Sequence, residues 1–169
     1  GICATDLHLL DGSIPLYKPP RILGHEMSGT VVAVGPDVTS VAVGTAVAID
    51  PNISCGACFY CHEALPYMCA SRTSLIGGFA EYLKVPETTA FPLPAGIPVE
   101  YGAIAEPLSC CLRAAERAGL RAGGTVAIVG AGTIGLLLTQ LAKRSGAALV
   151  AVSEPDAERR ALALQLGAD

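Results

Sequence analysis

The sequence predicts an α/β protein in which a mostly β first part carries a metal-held lobe and is followed by the start of a doubly wound parallel sheet. Three observations predict this class. β-rich patches alternate with turn residues over 22–50, a run of four cysteines interrupts them, and the apolar spacing becomes helical after residue 107. We therefore expect one domain over 1–107 and a second over 108–169.

The first part has the pattern of an antiparallel meander. Turn signals at Gly35-Pro36 and at Gly44 separate runs rich in β-branched residues, and prolines from residue 86 onward mark a connector to the second part. We expect strands over three segments: TVVAV at 30–34, TAVAI at 45–49 and GGFAEYLKVP at 77–86.

The four clustered cysteines have the spacing C-x2-C-x2-C-x7-C. They are Cys55, Cys58, Cys61 and Cys69. Thiolates this close converge on one ion, because tetrahedral zinc takes four soft donors at short range. A disulfide scaffold is the weaker alternative, since the chain has 7 cysteines, an odd number, and an aliphatic composition that can build a core. We expect a structural zinc lobe over about 52–72.

The second part begins with a buried strand that turns into a helix through a glycine-rich loop. TVAIV at 125–129 runs into GAGTIG, which has the spacing of a dinucleotide-binding loop. Gly130 permits the tight turn, Gly132 lets the backbone approach a pyrophosphate, and Gly135 allows close helix packing. Thr133 and Ile134 complete the loop at the start of a helix that ends near Gly146.

A second strand, ALVAVS at 148–153, precedes Glu154 and a helix over about 156–166. Glu154 lies nineteen positions after Gly135, where an acid accepts hydrogen bonds from ribose hydroxyls and repels a 2′-phosphate. NAD is therefore favoured over NADP. Arg159 and Arg160 keep the alternative open, because either side chain could reach a phosphate.

Composition excludes two classes of partner. The net charge is −4 and no basic stripe is present, so nucleic-acid binding is not expected and a zinc-ribbon interaction module is only a weaker alternative. The long uncharged stretch over 125–142 is interrupted by glycines and polar residues, which favours a strand-turn-helix over a membrane span. We expect a cytoplasmic protein.

Five ordered motifs together resemble the zinc-dependent medium-chain alcohol and polyol dehydrogenases. The motifs are GICATDLH, GHE, the four cysteines, GGFAEY and GAGTIG. The resemblance implies a GroES-like catalytic domain over 1–107 and the start of a Rossmann domain over 108–169, both incomplete, so that the chain is a fragment inactive alone. It also implies two zinc ions per chain, NAD, a small alcohol substrate and a full-length homo-oligomer, a dimer or tetramer.

The resemblance also implies the ligands of a catalytic zinc. Cys3 and His25 would bind the ion, with Glu26 beside them as a ligand or near-ligand. The next donor is a cysteine in many alcohol dehydrogenases and a glutamate of an E-P-L segment in the sorbitol and threonine dehydrogenase branch. This chain reads AEPLSC with Glu106, which favours the polyol and threonine branch. Glu106 could alternatively cap the following helix.

Three further residues match the family's proton path. Thr5 would bridge to the substrate oxygen, His8 would receive the proton by way of the cofactor ribose and pass it to solvent, and Asp6 would orient His25. The chain departs from the pattern at Ala4, where the branch usually has glycine, and in a short segment after Cys69. A zinc-dependent polyol or secondary alcohol dehydrogenase is the expected function. A threonine or simple alcohol dehydrogenase and a non-catalytic zinc- and nucleotide-binding protein are the alternatives.

Overall fold

Residues 1–15 and 17–169 are described by the structure, a computed structural model. They divide into two units, Gly1–Glu106 and Pro107–Asp169. The first unit contains two short helices and five short strands: α1 (Ala4–Leu10), β1 (Met27–Thr30), β2 (Ala46–Ile49), β3 (Asn52–Ile53), α2 (Phe59–His62), β4 (Thr73–Ser74) and β5 (Ala90–Pro92). It also has 3-10 turns at Pro66–Met68, Glu87–Thr89 and Val99–Ile104.

Two antiparallel sheets organise this unit. Three strands pair in the order β1-β2-β5, and β3 pairs with β4 in a separate two-stranded ribbon. Met27 of β1 and Val47 and Ala48 of β2 are buried. The turn Val99–Ile104 packs against β1 so closely that a Cβ at Gly102 would lie 2.8 Å from Cβ of Ser28. This packing places the segment that carries Glu106.

The strand expected over 45–49 is confirmed. The strand expected over 30–34 is not formed over most of its length, and the strand expected over 77–86 is absent from the described chain. Over 30–34 the pairing ends after Val31, which exchanges hydrogen bonds with Thr45 and Gly44, and the exposed residues beyond it have no partner strand. Over 77–86 the described chain has no strand. Gly77 and Gly78 both donate to the Gly24 carbonyl instead, so this segment is held by contacts with Gly24 rather than by a ladder.

The second unit is a β-α-β-α arrangement preceded by a helix. Its elements are α3 (Ala105–Ala118, beginning in the last two residues of the first unit), β6 (Thr125–Val129), α4 (Thr133–Arg144), β7 (Leu149–Ser153) and α5 (Ala157–Gln165). β6 and β7 are parallel, with Ile128 opposite Val152. Ile128, Ala142 and Val150 form the core cluster. The expected strand-turn-helix and second strand-helix pair are confirmed, and so is the fold class.

The uncharged stretch over 125–142 is divided between β6 and α4. In the part of the chain that the structure describes, no helix is both long and apolar enough to cross a membrane.

Candidate metal and nucleotide sites

The first candidate site starts at the N-terminus of α1. Cys3 is the residue before the helix, in an extended backbone conformation, and its carbonyl accepts the N–H of Asp6 at 3.0 Å. The Asp6 carboxylate returns the contact, because Oδ2 accepts the Cys3 N–H at 3.0 Å. This reciprocal pair satisfies helix-end groups and determines the direction in which the Cys3 side chain leaves the backbone.

Asp6 also connects α1 to the segment that carries the histidine. Its Oδ1 accepts the N–H of Gly24 at 3.1 Å and lies 3.3 Å from Nδ1 of His25. The side chain is only 3% exposed, so these contacts are made away from water. With Nδ1 turned to the carboxylate, Nε2 is the nitrogen of His25 that faces away and is available to a metal.

Three potential metal donors meet beside Asp6. Sγ of Cys3, a ring nitrogen of His25 and a carboxylate oxygen of Glu26 all lie within 4.8 Å of one another, and all three residues are half-buried. A thiolate, an imidazole and a carboxylate form a donor set that suits zinc and leaves one coordination position for another ligand. The residues present therefore fit a catalytic type of zinc site.

Glu106 lies in the same unit but does not join the three-donor group. It is the second residue of α3, so it stands inside the first turn of the helix rather than at its cap. Partial burial raises the pKa of the Glu106 carboxyl; nearby His25 acts in the opposite direction, while Glu26, Asp50 and Asp6 add to the increase. Because Glu106 is half-buried near other acids, a cation bound nearby would stabilise its ionised form.

The proton-path candidates both lie on α1. Thr5 is half-buried, and its Oγ1 lies 3.5 Å from Sγ of Cys3. His8 follows one turn later, and 53% of its side chain is exposed. Because residues three apart share a helix face, the helix carries a hydroxyl beside the candidate metal group and an imidazole toward solvent.

The second candidate metal site is the lobe that carries the four clustered cysteines. Their sulfur atoms all lie within 4.8 Å of one another: Cys55, Cys58, Cys61 and Cys69. The lobe is built from β3, α2, the turn Pro66–Met68 and β4, and none of the seven cysteines forms a disulfide. Four convergent thiols with no other donor suit a closed, structural zinc site.

Backbone N–H groups around the lobe favour thiolates. Hydrogen bonds lower the pKa of Cys55 to about 6. The N–H of Ala57 contributes most, followed by the Cys69 thiol and the N–H of Cys58. Desolvation and the neighbouring thiols raise the pKa of Cys61 to about 11. Sulfurs this close cannot all ionise without a cation between them, which is what a zinc ion provides.

The glycine-rich loop joins β6 to α4. Gly130 has φ +97°, which a side chain would disfavour, and a Cβ at Gly135 would overlap the Gly130 carbonyl oxygen. Gly132 has an ordinary φ of −74°, and a Cβ there would meet nothing within 4 Å. Thr133 and Ile134 begin α4, whose N-terminus has no side-chain cap. The loop therefore leaves open space at a helix N-terminus, where an anion is stabilised.

Glu154 stands directly after β7 and reaches back to this loop. Its Oε2 accepts the N–H of Ala131 at 2.7 Å, and its Oε1 accepts the N–H of Asp156 at 3.0 Å. These two N–H groups, Ala131 first, hold the pKa of Glu154 below its usual value, so the side chain is an anion at neutral pH. Arg159 is the nearby cation, while Arg160 donates to the backbone carbonyls of Glu154 and Pro155.

Sequence reasoning missed two sets of contacts. The link between Glu154 and Ala131 joins residues from different loops, so no local pattern could reveal it. The second set surrounds His8, where Ser13 and Asp11 approach its ring. An Asp-Gly-Ser turn directly after the helix is a local signal for a chain reversal that brings these residues back toward His8.

Comparison with a family profile matched residues 1–95 to the alcohol dehydrogenase GroES-like domain. Among curated proteins, L-threonine 3-dehydrogenase of Pyrococcus abyssi (strain GE5 / Orsay) is 41% identical over 175 residues, which cover 99% of this chain and 50% of that protein. Sorbitol dehydrogenase of Bacillus subtilis (strain 168) is 36% identical, with 99% and 50% covered. The chain spans about half the length of the curated relatives it matches.

A solved structure shows the same fold. It is a protein of Sinorhizobium meliloti 1021 described as a zinc-binding dehydrogenase bound to NADP. The match has a TM-score of 0.92 and 46% sequence identity, and it covers 99% of this chain and 50% of that one. The likeness extends through both units of the chain, so it includes the candidate metal groups and the glycine-rich loop.

Proposed function

The chain belongs to the zinc-dependent medium-chain dehydrogenase family with the alcohol dehydrogenase GroES-like domain, and on this premise we propose that its full-length protein oxidises a secondary alcohol with NAD. The observation that carries the proposal is the meeting of Cys3, His25 and Glu26 within 4.8 Å beside a buried aspartate. Such a three-donor group has a position left for substrate, unlike the four-thiol lobe.

The proposal assigns two zinc ions to each chain. The four-thiol lobe would hold one ion for stability, and Cys3, His25 and Glu26 would hold the other, with Glu106 as the alternative or additional carboxylate donor. A zinc ion held there supplies Lewis acidity toward a substrate oxygen, and a nicotinamide cofactor supplies the acceptor for hydride. Asp6 orients the His25 ring, because it contacts Nδ1 and leaves Nε2 for the ion.

The hydroxyl of Thr5 would receive the proton released from the alcohol and pass its own proton on along the path. It lies beside the Cys3 sulfur, so an alcohol oxygen next to the metal donors would be within its reach. His8 would then deliver the proton to water from the exposed end of α1. One short helix and the residue before it would thereby supply a metal donor, a hydroxyl and an exposed base.

The nucleotide would bind at the N-terminus of α4. Gly130, Gly132 and Gly135 would give the backbone a close approach to a pyrophosphate, and the first-turn N–H groups of Thr133 and Ile134 would donate to the same anion. Glu154 would accept hydrogen bonds from the adenosine ribose. Since Glu154 is an anion held against the loop, we propose NAD rather than NADP, with Arg159 as the neighbouring cation.

Replacing Glu154 with glutamine is expected to weaken the preference for NAD. The change removes a negative charge that would repel a 2′-phosphate, and one such repulsion of about 1.4 kcal/mol corresponds to about a tenfold change. Steady-state kinetics with both cofactors would measure the ratio of kcat/KM for NAD to that for NADP. Glu158→Gln makes the same charge change in the first turn of α5 and should leave the ratio unchanged. An unchanged ratio in Glu154→Gln would refute the assignment.

Two loop glycines are expected to respond differently to alanine. A Cβ at Gly135 overlaps the Gly130 carbonyl, so Gly135→Ala should destabilise the protein by about 1–3 kcal/mol. A Cβ at Gly132 meets nothing, so Gly132→Ala should preserve the unfolding temperature but weaken NAD binding, because the added methyl group occupies the open space at the helix end. Thermal unfolding and NAD titration of the full-length variants measure both effects. Equal NAD affinity in Gly132→Ala and wild type would contradict this placement of the cofactor.

The substrate class follows from the family branch. The relatives reported above are named for threonine and for sorbitol. Both compounds contain a secondary hydroxyl that oxidation converts to a ketone. The E-P-L segment with Glu106 supports the same branch, so we propose a polyol or a related hydroxy compound as substrate, with L-threonine as the second candidate.

NADH formation by the full-length protein tests this function. The assay uses a panel of polyols, L-threonine and simple primary and secondary alcohols, with and without a zinc chelator. A chelator-sensitive signal on a secondary alcohol would support the proposal and identify the substrate class. Protein that holds two zinc ions and NAD but oxidises nothing in the panel would refute the substrate class. Protein that holds only the zinc of the four-thiol lobe would favour a non-catalytic zinc- and nucleotide-binding role.

We also propose a cytoplasmic location, because unpaired thiols that serve as metal donors suit a reducing compartment. Assembly of the full-length protein into a homo-oligomer stays a prediction.

A further inference from the structure

The surroundings of His8 contain a hydrogen-bonded chain that the proposed function does not use. Nδ1 of His8 lies 3.1 Å from Oγ of Ser13, and that Oγ lies 2.5 Å from Oδ1 of Asp11. The other Asp11 oxygen, Oδ2, lies 3.8 Å from the same Nδ1. The turn after α1 creates this arrangement, because the N–H of Ile14 donates to the His8 carbonyl and the N–H of Ser13 donates to Asp11.

The direction of each hydrogen bond can be assigned. Hydrogen bonds from the Ser13 hydroxyl and backbone N–H, assisted by His8, hold the pKa of Asp11 below its usual value. Asp11 is therefore an acceptor only, so the single hydroxyl hydrogen of Ser13 must lie on the short contact to Asp11. The alternative acceptor for that hydrogen, the His8 carbonyl, is farther away at 3.4 Å. Ser13 Oγ then offers a lone pair to Nδ1, and Nδ1 must carry the proton that fills this contact.

We infer that Ser13 and Asp11 are positioning residues that hold neutral His8 with its proton on Nδ1, so that Nε2 is the nitrogen that accepts the proton released in alcohol oxidation. The inference rests on the proposed function. An isolated histidine favours the opposite tautomer, with the proton on Nε2, which could not accept another proton there. The Asp11-Ser13 pair therefore converts the ring into the form that the proton path needs.

The proton step balances in this arrangement. The hydroxyl next to His8 in the path gives its proton to Nε2, where an N–H bond forms, and the same oxygen receives the proton released from the alcohol, so that the hydroxyl is restored. The ring becomes an imidazolium with a proton on each nitrogen. Asp11 stabilises that positive charge, because its carboxylate lies within salt-bridge distance of the ring. Because 53% of the His8 side chain is exposed, water then removes the proton from Nε2 and restores the Nδ1–H form.

The test combines a spectroscopic readout with kinetics on the full-length protein. Nitrogen-15 NMR of histidine-labelled protein distinguishes a protonated from an unprotonated ring nitrogen, and His8→Gln identifies the His8 signals. We expect neutral His8 to carry its proton on Nδ1 in wild type. In Ser13→Ala, which removes the hydroxyl acceptor, the proton should move to Nε2. Ser13→Thr keeps the hydroxyl and should restore the wild-type pattern.

The kinetic expectation follows from the tautomer. Ser13→Ala should lower kcat by about three- to tenfold, the factor by which the competent tautomer is depleted, without a matching change in KM for alcohol or cofactor. Asp11→Asn should lower kcat in the same sense, whereas Asp37→Asn, the same change on the turn after β1, should not. His8→Gln gives the rate without the base.

Each outcome decides the inference. A proton on Nε2 of His8 in active wild type, or a tautomer and kcat unaffected by Ser13→Ala, would overturn the inference and leave the proposed function intact. A wild-type protein without alcohol-dependent NADH formation would refute the proposed function and the relay with it, whatever tautomer the NMR spectrum shows. A moved tautomer with reduced kcat in Ser13→Ala, reversed in Ser13→Thr, supports both.

Discussion

Replacing Cys58 with serine is expected to remove one zinc ion per chain and to lower the unfolding temperature of the full-length protein strongly. Cys58 is one of four thiols that meet within 4.8 Å, and the lobe around them is made of two-residue strands and a single-turn helix. Such short elements cannot bury a core of their own. Zinc binding contributes about 10–16 kcal/mol in small domains that depend on it, so the ion is the main source of the lobe's order.

Metal analysis and calorimetry measure this effect. We expect one zinc ion per chain in Cys58→Ser against two in wild type, and an unfolding temperature lower by about 10 °C or more. Cys110→Ser is the matched control, because Cys110 is an exposed cysteine of α3 outside the cluster. Two zinc ions in Cys58→Ser, or the loss of one in Cys110→Ser, would show that the four-thiol group is not the structural site.

Replacing Asp6 with asparagine is expected to weaken zinc binding at the other site by about 10- to 100-fold and to reduce activity with it. Asp6 accepts from the N–H groups of Cys3 and Gly24 through different oxygens, and it contacts Nδ1 of His25. An asparagine side chain has one oxygen and one NH2 group. In Asp6→Asn, at least one of the groups that now donates to Asp6 would therefore meet the NH2 group instead of an oxygen. An unsatisfied buried donor costs about 1–3 kcal/mol, and here the cost falls on residues next to metal donors.

Zinc competition titration measures the weakened site, because the zinc of the four-thiol lobe provides an internal reference in the same sample. Only the weaker of two binding steps should change in Asp6→Asn. Asp156→Asn is a suitable control, since Asp156 caps α5 and asparagine serves equally well at that position. Unchanged affinity at both sites in Asp6→Asn would mean that Asp6 supports the fold without influencing the metal.

Local patterns in the sequence were sufficient for elements whose signal lies within a few residues. The strand TVAIV, the glycine turn and the following helix are adjacent in the chain, and their spacing alone predicted β6 and α4 correctly. The prediction of a strand over 77–86 was wrong. This segment has a β-like composition, but its backbone donates hydrogen bonds to Gly24, a residue more than fifty positions away, instead of pairing with another strand. Composition reports local preference, and distant contacts can override it.

The sequence by itself determined the family, the fold class and the types of donor available, because motif spacing restricts which side chains can meet around one ion or one pyrophosphate. Only the tertiary structure showed that Cys3, His25 and Glu26 meet at all, since they lie on segments separated by some twenty residues. Only it showed the two directional contacts of greatest consequence: Glu154 on the Ala131 N–H, and Ser13 between Asp11 and His8. Hydrogen bonds depend on distances of tenths of an ångström, and chain folding rather than residue order determines such distances.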